Sequence, residues 1–291
     1  KRWQHIFTYL RNNPQIEDVV VSGGDCYNLS PNMLRTIGET LIDIPHIYRI
    51  RFATKGLAVD PTKILTDHEW TNTLTQIVDQ GRTRHKHVAV HTHFNHPNEI
   101  SELTEYAALV LFERGITVRN QTVLIRGVND TVDTMKSLIK RLGRLNIQPY
   151  YVYMHDMVKG VETLRTNLKT NIELEKRIRG ITAGFYTPTF VTDCPGGGGK
   201  RTSCSYEHYN PETGISVYIA PSIKSDCAFL YFDPLSYLSP DARKAWLNCN
   251  DVREMCADAL AHVSDVSHRW KDNYLKSIQA MFSSSLASKM T

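Results

Sequence analysis

Asp18-Val19-Val20-Val21-Ser22-Gly23-Gly24-Asp25 joins a short β-branched run to a glycine turn. A run with no polar alternation is the pattern of a strand covered on both faces, which a parallel sheet requires. Upstream, Ile6, Phe7 and Leu10 have the spacing of an amphipathic helix over residues 3–11, with Pro14 beyond its end. Downstream, Ser30-Pro31 supplies a cap and a first-turn proline for a helix to about Ile42. Tyr48 to Phe52 is the next strand, and a helix covers about residues 67–80.

The same alternation continues. Val88-Ala89-Val90 is a strand that leaves into His91-Thr92-His93-Phe94-Asn95-His96-Pro97. A helix over residues 99–113 stops at Gly115, and a strand follows over 118–125 with Asn120 and Gln121 in it. Gly127-Val128-Asn129-Asp130 forms a turn and cap before a helix to about Arg144. Then come a strand over 149–153, leaving into His155-Asp156, and a helix over 171–179 ended by Gly180. Alternating strands and helices predict an α/β fold with a parallel sheet and right-handed crossovers. Ligands in such folds bind at the C-terminal strand ends. Gly23, Gly24, Asp25, His91, His93, Gln121 and Asp156 all fall there.

The last strand, Thr189-Phe190-Val191, runs into Asp193-Cys194-Pro195-Gly196-Gly197-Gly198-Gly199-Lys200. Consecutive glycines permit positive φ and close approach to a ligand. A Lys at the end of such a loop can hold an anion or form an imine. A nucleotide phosphate loop needs Gly six residues before the Lys and Ser or Thr after it. Cys194 and Arg201 stand there, so that reading fails. The bland alternative is a flexible loop.

The chain has 291 residues, enough for one large α/β domain or two smaller ones, with 41% hydrophobic and 22% charged residues. A net charge of +4 without blocks of like charge argues against a nucleic-acid partner and suits small anions. No apolar run has transmembrane length, so no membrane partner is expected. The six cysteines are scattered, with no metal-type spacing, which reads as a reducing compartment. The expected location is the cytoplasm, with an organelle as the alternative. The chain opens on Lys1 without an initiator methionine, and we expect a fragment of a longer protein.

Three segments are expected: residues 1–200 as the α/β domain, 201–238 as a short β segment, and 239–291 as a helical tail. Residues 215–219 and 228–232 are expected to pair, with a turn over 210–214. The tail is expected to be helical over 241–248 and 252–281, as a packing or oligomerisation element.

Several pieces together resemble the lysine 2,3-aminomutase family of radical S-adenosylmethionine (SAM) enzymes. They are Val21 to Asp25, Thr92 to Ile100, Asn120-Gln121, Arg126 to Asp130, Pro149-Tyr150-Tyr151 and Pro195 to Lys200. They occur in the family order over about residues 3–200. The resemblance implies a partial (β/α) TIM-like barrel of the radical SAM type, with pyridoxal phosphate (PLP), SAM and a [4Fe-4S] cluster. It assigns Lys200 as the catalytic lysine that carries PLP and Tyr153 as a tyrosine close to PLP. Gly23, Gly24, Asp25, His93 and Gln121 take SAM-contacting positions. Asp156 and Asp193 fall on the acidic pair with which lysine-specific members hold the substrate ammonium, so L-lysine is the expected substrate. A buried cation requires opposite charge and hydrogen bonds, so such a pair makes physical sense. The reaction implied moves the amino group from C2 to C3, giving β-lysine. An electron donor for the cluster and a homo-oligomer are the implied partners.

The family's cluster cysteines lie in a C-x3-C-x2-C motif before the Gly-Gly-Asp strand, and no Cys here can replace them. Those ligands are expected upstream of Lys1, with no metal ligand in this chain. The inter-subunit zinc site of some relatives is not expected either, since Thr131 follows Asp130 and Cys249 and Cys256 have the wrong spacing. One alternative is a metal-dependent hydrolase on a (β/α) barrel using His91, His93 and His96. Another is an inactive relative.

Overall fold

The computed structural model describes residues 2–287, with side-chain surroundings for residues 3–280. Helix α1 (Arg2–Arg11) precedes strand β1 (Asp18–Val21), and α2 (Pro31–Asp43) leads to β2 (Arg49–Ala53). Two short helices, α3 (Gly56–Val59) and α4 (Thr62–Thr66), and the longer α5 (His68–Thr83) connect to β3 (His87–Thr92). Next come α6 (Glu102–Glu113), β4 (Thr117–Val123), α7 (Val132–Arg144) and β5 (Ile147–Tyr153). Helix α8 (Leu168–Ile178) and β6 (Thr189–Cys194) follow, and β7 (Gly199–Thr202) turns back along β6. The remainder is β8 (His208–Asn210), β9 (Ile215–Ala220), β10 (Lys224–Phe232), α9 (Pro240–Ala245), α10 (Cys249–Ala261) and α11 (His268–Ala287).

Strands β1 to β7 are hydrogen-bonded in sequence order. The pairs β1–β2, β2–β3 and β3–β4 are parallel, and β6–β7 is antiparallel. Sequential parallel strands joined by helices are consistent with a partial β/α barrel. A second, antiparallel sheet has the order β10-β9-β8. The chain divides into two compact units, residues 1–122, 133–151 and 180–188 in the first, and 123–132, 152–179 and 189–291 in the second.

In the first unit the helices begin where side chains satisfy free backbone donors. Ser30 accepts from Met33 N–H with Pro31 opening α2, Asp67 accepts from Trp70 N–H at α5, and Ser101 accepts from Thr104 N–H at α6. The apolar stripe of α2 (Leu34, Ile37, Leu41) is fully buried, and Gly38 lets Ile77 of α5 come close. A Cβ at Gly38 would meet Ile77 at 2.7 Å, so helix contact fixes that glycine. Asp18 is paired with Arg49 and Arg51 across the β1–β2 ladder.

In the second unit β9 and β10 pack against α10 and α11 in one apolar cluster that includes Ile215, Val217, Leu230, Val252 and Leu260. The β segment and the helices after it therefore share a core. Residues 228–232 pair with 215–219 as expected, while the 210–214 turn joins β8 to β9.

Three local expectations shift. Helix α6 begins at Glu102, not near residue 99, because the Glu99 carboxylate accepts from the N–H groups of Asn95 and His96 and closes a tight turn over Pro97–Glu99. The helix expected over 252–281 is interrupted after Ala261, where Asp226 accepts from Ser267 N–H and Oγ–H before α11 starts. The third shift concerns Lys200, which lies on strand β7 and not at a loop tip.

The Arg126–Asp130 turn in the second unit is held by a buried side chain. Asn129 accepts from Ile125 N–H at 2.7 Å, donates to Val123 O at 2.8 Å, and has no solvent exposure. Removing the side chain takes one hydrogen-bond partner from each of two backbone groups, at a cost of about 1–2 kcal/mol each. Asn129→Ala is expected to destabilise the fold by about 2–4 kcal/mol, read as a lower urea midpoint with an unchanged slope.

Candidate functional site

The residues singled out by sequence divide between the two units. Gly23, Gly24, Asp25, His91, His93 and Gln121 belong to the first, and Tyr153, Asp156, Asp193 and Lys200 to the second.

In the first unit, β1 ends at Val21 and the chain turns through Gly23 (φ +94°) and Gly24 (φ +107°), a backbone state that side chains disfavour. A Cβ at either glycine would meet nothing within 4 Å, so conformation and not crowding selects glycine. The Asp25 carboxylate accepts from Tyr27 N–H (2.9 Å) and Lys55 N–H (2.8 Å), tying the turn to the end of β2. Lys55 Nζ donates to His93 O (2.9 Å) and to Glu99 (2.6 Å). One lysine thus links the Gly-Gly-Asp turn to the His93 segment, a tie with no signature in local sequence. The Glu99 carboxylate is held below its ordinary range by Lys55 and the Asn95 and His96 amides, against the opposing effect of burial.

His91 sits on β3 and is 5% exposed. Burial, reinforced by Arg51 and Arg119, pushes its imidazole down to about 4. Its Nδ1 lies 3.4 Å from Gln121 Nε2, and its buried Nε2 lacks a hydrogen-bond partner. His93 is also shifted downward, by burial and then by Lys55. Both rings are therefore neutral near pH 7. His96 Nδ1 accepts from Asn98 N–H and caps the turn. Among the described residues no group of three His, Cys, Asp or Glu can hold a metal, so the hydrolase alternative has no ligand set.

In the second unit, register brings the groups together. Asp193 on β6 is the cross-strand partner of Lys200 on β7, and Lys200 Nζ lies 3.3 Å from Asp193 Oδ2. The same ammonium is 5.6 Å from the centre of the Tyr153 ring. Met154 N–H donates to Val191 O at 2.8 Å. Asp193 thus lies near the C-terminal end of β6, and Asp156 three residues past the end of the neighbouring β5. The turn between β6 and β7 uses all four glycines. Gly196, Gly197 and Gly199 have φ of +82°, +94° and +65°. A Cβ at Gly198 would meet Phe229 at 2.6 Å and Cys194 at 2.7 Å. Gly198 N–H closes the turn on Cys194 O at 3.2 Å.

Over 192 residues, 66% of the chain, the sequence is 41% identical to the L-lysine 2,3-aminomutase of Clostridium subterminale, covering 44% of that protein. The similarity is to the lysine 2,3-aminomutase family. The L-lysine 2,3-aminomutase of Bacillus subtilis (strain 168) is 36% identical over 200 residues, which is 69% of this chain and 40% of the relative. The glutamate 2,3-aminomutase of Clostridioides difficile (strain 630) is 34% identical over 197 residues, 68% of this chain and 44% of the relative. The chain spans less than half the length of these aminomutases. No protein-family model matches it. Among the described residues no helix is long and apolar enough to cross a membrane.

The depressed His91 value gives a pH test. Between pH 6.5 and about 4 the unfolded chain binds a proton that the folded chain refuses, so stability falls as pH falls through that window. The loss from this one group saturates at about 3 kcal/mol. Urea unfolding at pH 7, 5.5 and 4 is expected to show a steeper acid loss for the wild type than for His91→Gln.

Proposed function

We propose that this chain carries the PLP-binding and SAM-binding portions of an isomerase, a 2,3-aminomutase acting on L-lysine. The observation that carries the reading is the convergence of Lys200, Asp193 and Tyr153. An amine, a carboxylate and an aromatic face meet within one hairpin and the strand end beside it. The residues fit PLP: Lys200 is half-exposed and available for imine chemistry, and the Tyr153 ring offers a stacking face. When bound, PLP would supply the electron sink for chemistry at the amino-bearing carbon.

The chain's own groups then have distinct tasks. Asp193 holds the Lys200 ammonium while that amine is free. Asp193, 3.3 Å from the Lys200 amine, would also offer one carboxylate to the side-chain ammonium of lysine. Asp156, one strand earlier, supplies the second carboxylate, and two carboxylates offset the desolvation of one ammonium. This acidic pair favours lysine over glutamate, whose side-chain carboxylate it would repel. In the first unit Gly23, Gly24 and Asp25 would receive the methionine part of SAM, with open space over both glycines. His93 and Gln121 would supply further polar contacts, and the unpartnered His91 Nε2 adds a polar group on the neighbouring strand.

The described residues do not fit an iron–sulfur cluster. They contain no three-ligand group, and burial pushes the Cys26, Cys194 and Cys256 thiols up to about 12, against the thiolate a cluster needs. No step through a cluster is assigned to this chain.

PLP added to the full chain is expected to give a borohydride-fixable adduct on Lys200, located by peptide mass, and Lys200→Ala is expected to abolish it. An adduct of equal yield in the variant would remove Lys200 from its role. Asp156→Asn and Asp193→Asn are each expected to weaken L-lysine binding to the PLP-loaded chain about tenfold or more, as befits charge-assisted contacts, with PLP incorporation retained.

A further inference from the structure

Asp156 lies on a segment outside any strand or helix, and its carboxylate is exposed to solvent. A side chain that selects a substrate by charge must be held to within about half an ångström by its surroundings. The restraint comes from strand β10 of the second sheet. Tyr231, 1% exposed, donates its hydroxyl hydrogen to His155 O at 2.6 Å. Phe232 N–H reaches Met157 Sδ at 3.3 Å. The residues on either side of Asp156 are therefore each fastened to consecutive residues of β10. Arg165 completes the arrangement: its guanidinium lies 5.2 Å from the Tyr231 ring centre and donates to Phe232 O. Downstream, Val158 N–H returns to Asp156 O at 2.9 Å.

From this bracket we infer that Tyr231 is a positioning residue for substrate selection, fixing the Asp156 carboxylate through the His155 carbonyl. Tyr231 touches neither PLP nor the reacting carbons in this scheme. It acts on the end of the substrate that carries the distinguishing charge. The assignment is independent of the motifs near the glycine turn, because β10 lies beyond residue 200. It rests on the proposed role of Asp156 in holding the lysine ammonium.

The test compares L-lysine with L-norleucine, which has the same carbon chain without the terminal ammonium. Each is titrated into the PLP-loaded full chain and followed by the absorbance of bound PLP. The wild type is expected to prefer lysine, and Asp156→Asn is expected to lose most of that preference. Tyr231→Phe keeps the ring and removes the hydroxyl. It is expected to lower the preference five- to tenfold through lysine affinity alone, with norleucine affinity and PLP incorporation unchanged. Met157→Leu, which removes the sulfur acceptor at nearly constant volume, is expected to act in the same direction and serves if Tyr231→Phe does not fold. A wild type that does not distinguish the two amino acids would overturn the Asp156 reading itself. A wild type that does so, with the preference lost in Asp156→Asn but kept in Tyr231→Phe, would overturn only the positioning role. Equal weakening of lysine and norleucine in Tyr231→Phe would reduce the contact to a structural one and likewise overturn it.

Discussion

The antiparallel register of β6 with β7 is the constraint on which the second unit depends. It sets Asp193 opposite Lys200 and Cys194 opposite Gly199. Side chains alternate faces along a strand, so a one-residue slip would turn Lys200 away from the carboxylate and from Tyr153 together. The register is fixed from below by buried hydroxyls. Thr192 Oγ1 lies 3.1 Å from Ser203 Oγ and 3.2 Å from Tyr218 Oη, and Tyr218 donates on to Ser203 O at 3.0 Å. All three residues are shielded from water. Leaving any one unpaired in such surroundings costs more than the bond itself contributes, so the chain of hydroxyls tolerates little displacement.

Tyr218 belongs to β9, and the glycine turn is packed by Phe229 of β10. Tyr231 and Phe232 of the same strand hold the two sides of Asp156. The small second sheet therefore supports both carboxylates of the proposed ammonium clamp, one through hydroxyls under the hairpin and one through the backbone of a loop. That sheet is itself held by the apolar cluster it shares with α10 and α11. The short β segment after residue 200 thus has a direct physical path to the carboxylates of the proposed clamp. The path is short, two residues of one strand, and needs no conformational relay.

Sequence carried the alternation of strands and helices well, because β-branched runs and helix caps act locally. The Ser30-Pro31 start is a case where the signal lies within a few residues of its effect, and Asp18 to Val21 forms the expected strand, although at the sheet edge it is only partly buried and Val20 is exposed. The glycine stretch was harder. Four glycines are equally compatible with a mobile loop and a fixed turn, and only tertiary structure separates them. Three take positive φ, and the fourth is required by an aromatic ring thirty-one positions later in the chain. Lys55, which ties Asp25 to the His93 segment, was invisible for the same reason, since its partners lie 30, 38 and 44 residues away.

Charge follows a similar division. In the first unit, burial and neighbouring cations keep His91 and His93 neutral, so these two imidazoles offer hydrogen-bonding atoms without adding charge. In the second, a carboxylate and an ammonium already neutralise each other across the hairpin. In the proposed clamp Asp193 would share its charge between the Lys200 amine beside it and the substrate ammonium. Among the described residues Asp156 has no comparable ion pair, so its proposed contribution depends on where its backbone is held. In the proposed clamp the two carboxylates are held by different means, Asp193 by its ion pair across the hairpin and Asp156 by the grip of β10 on its neighbours.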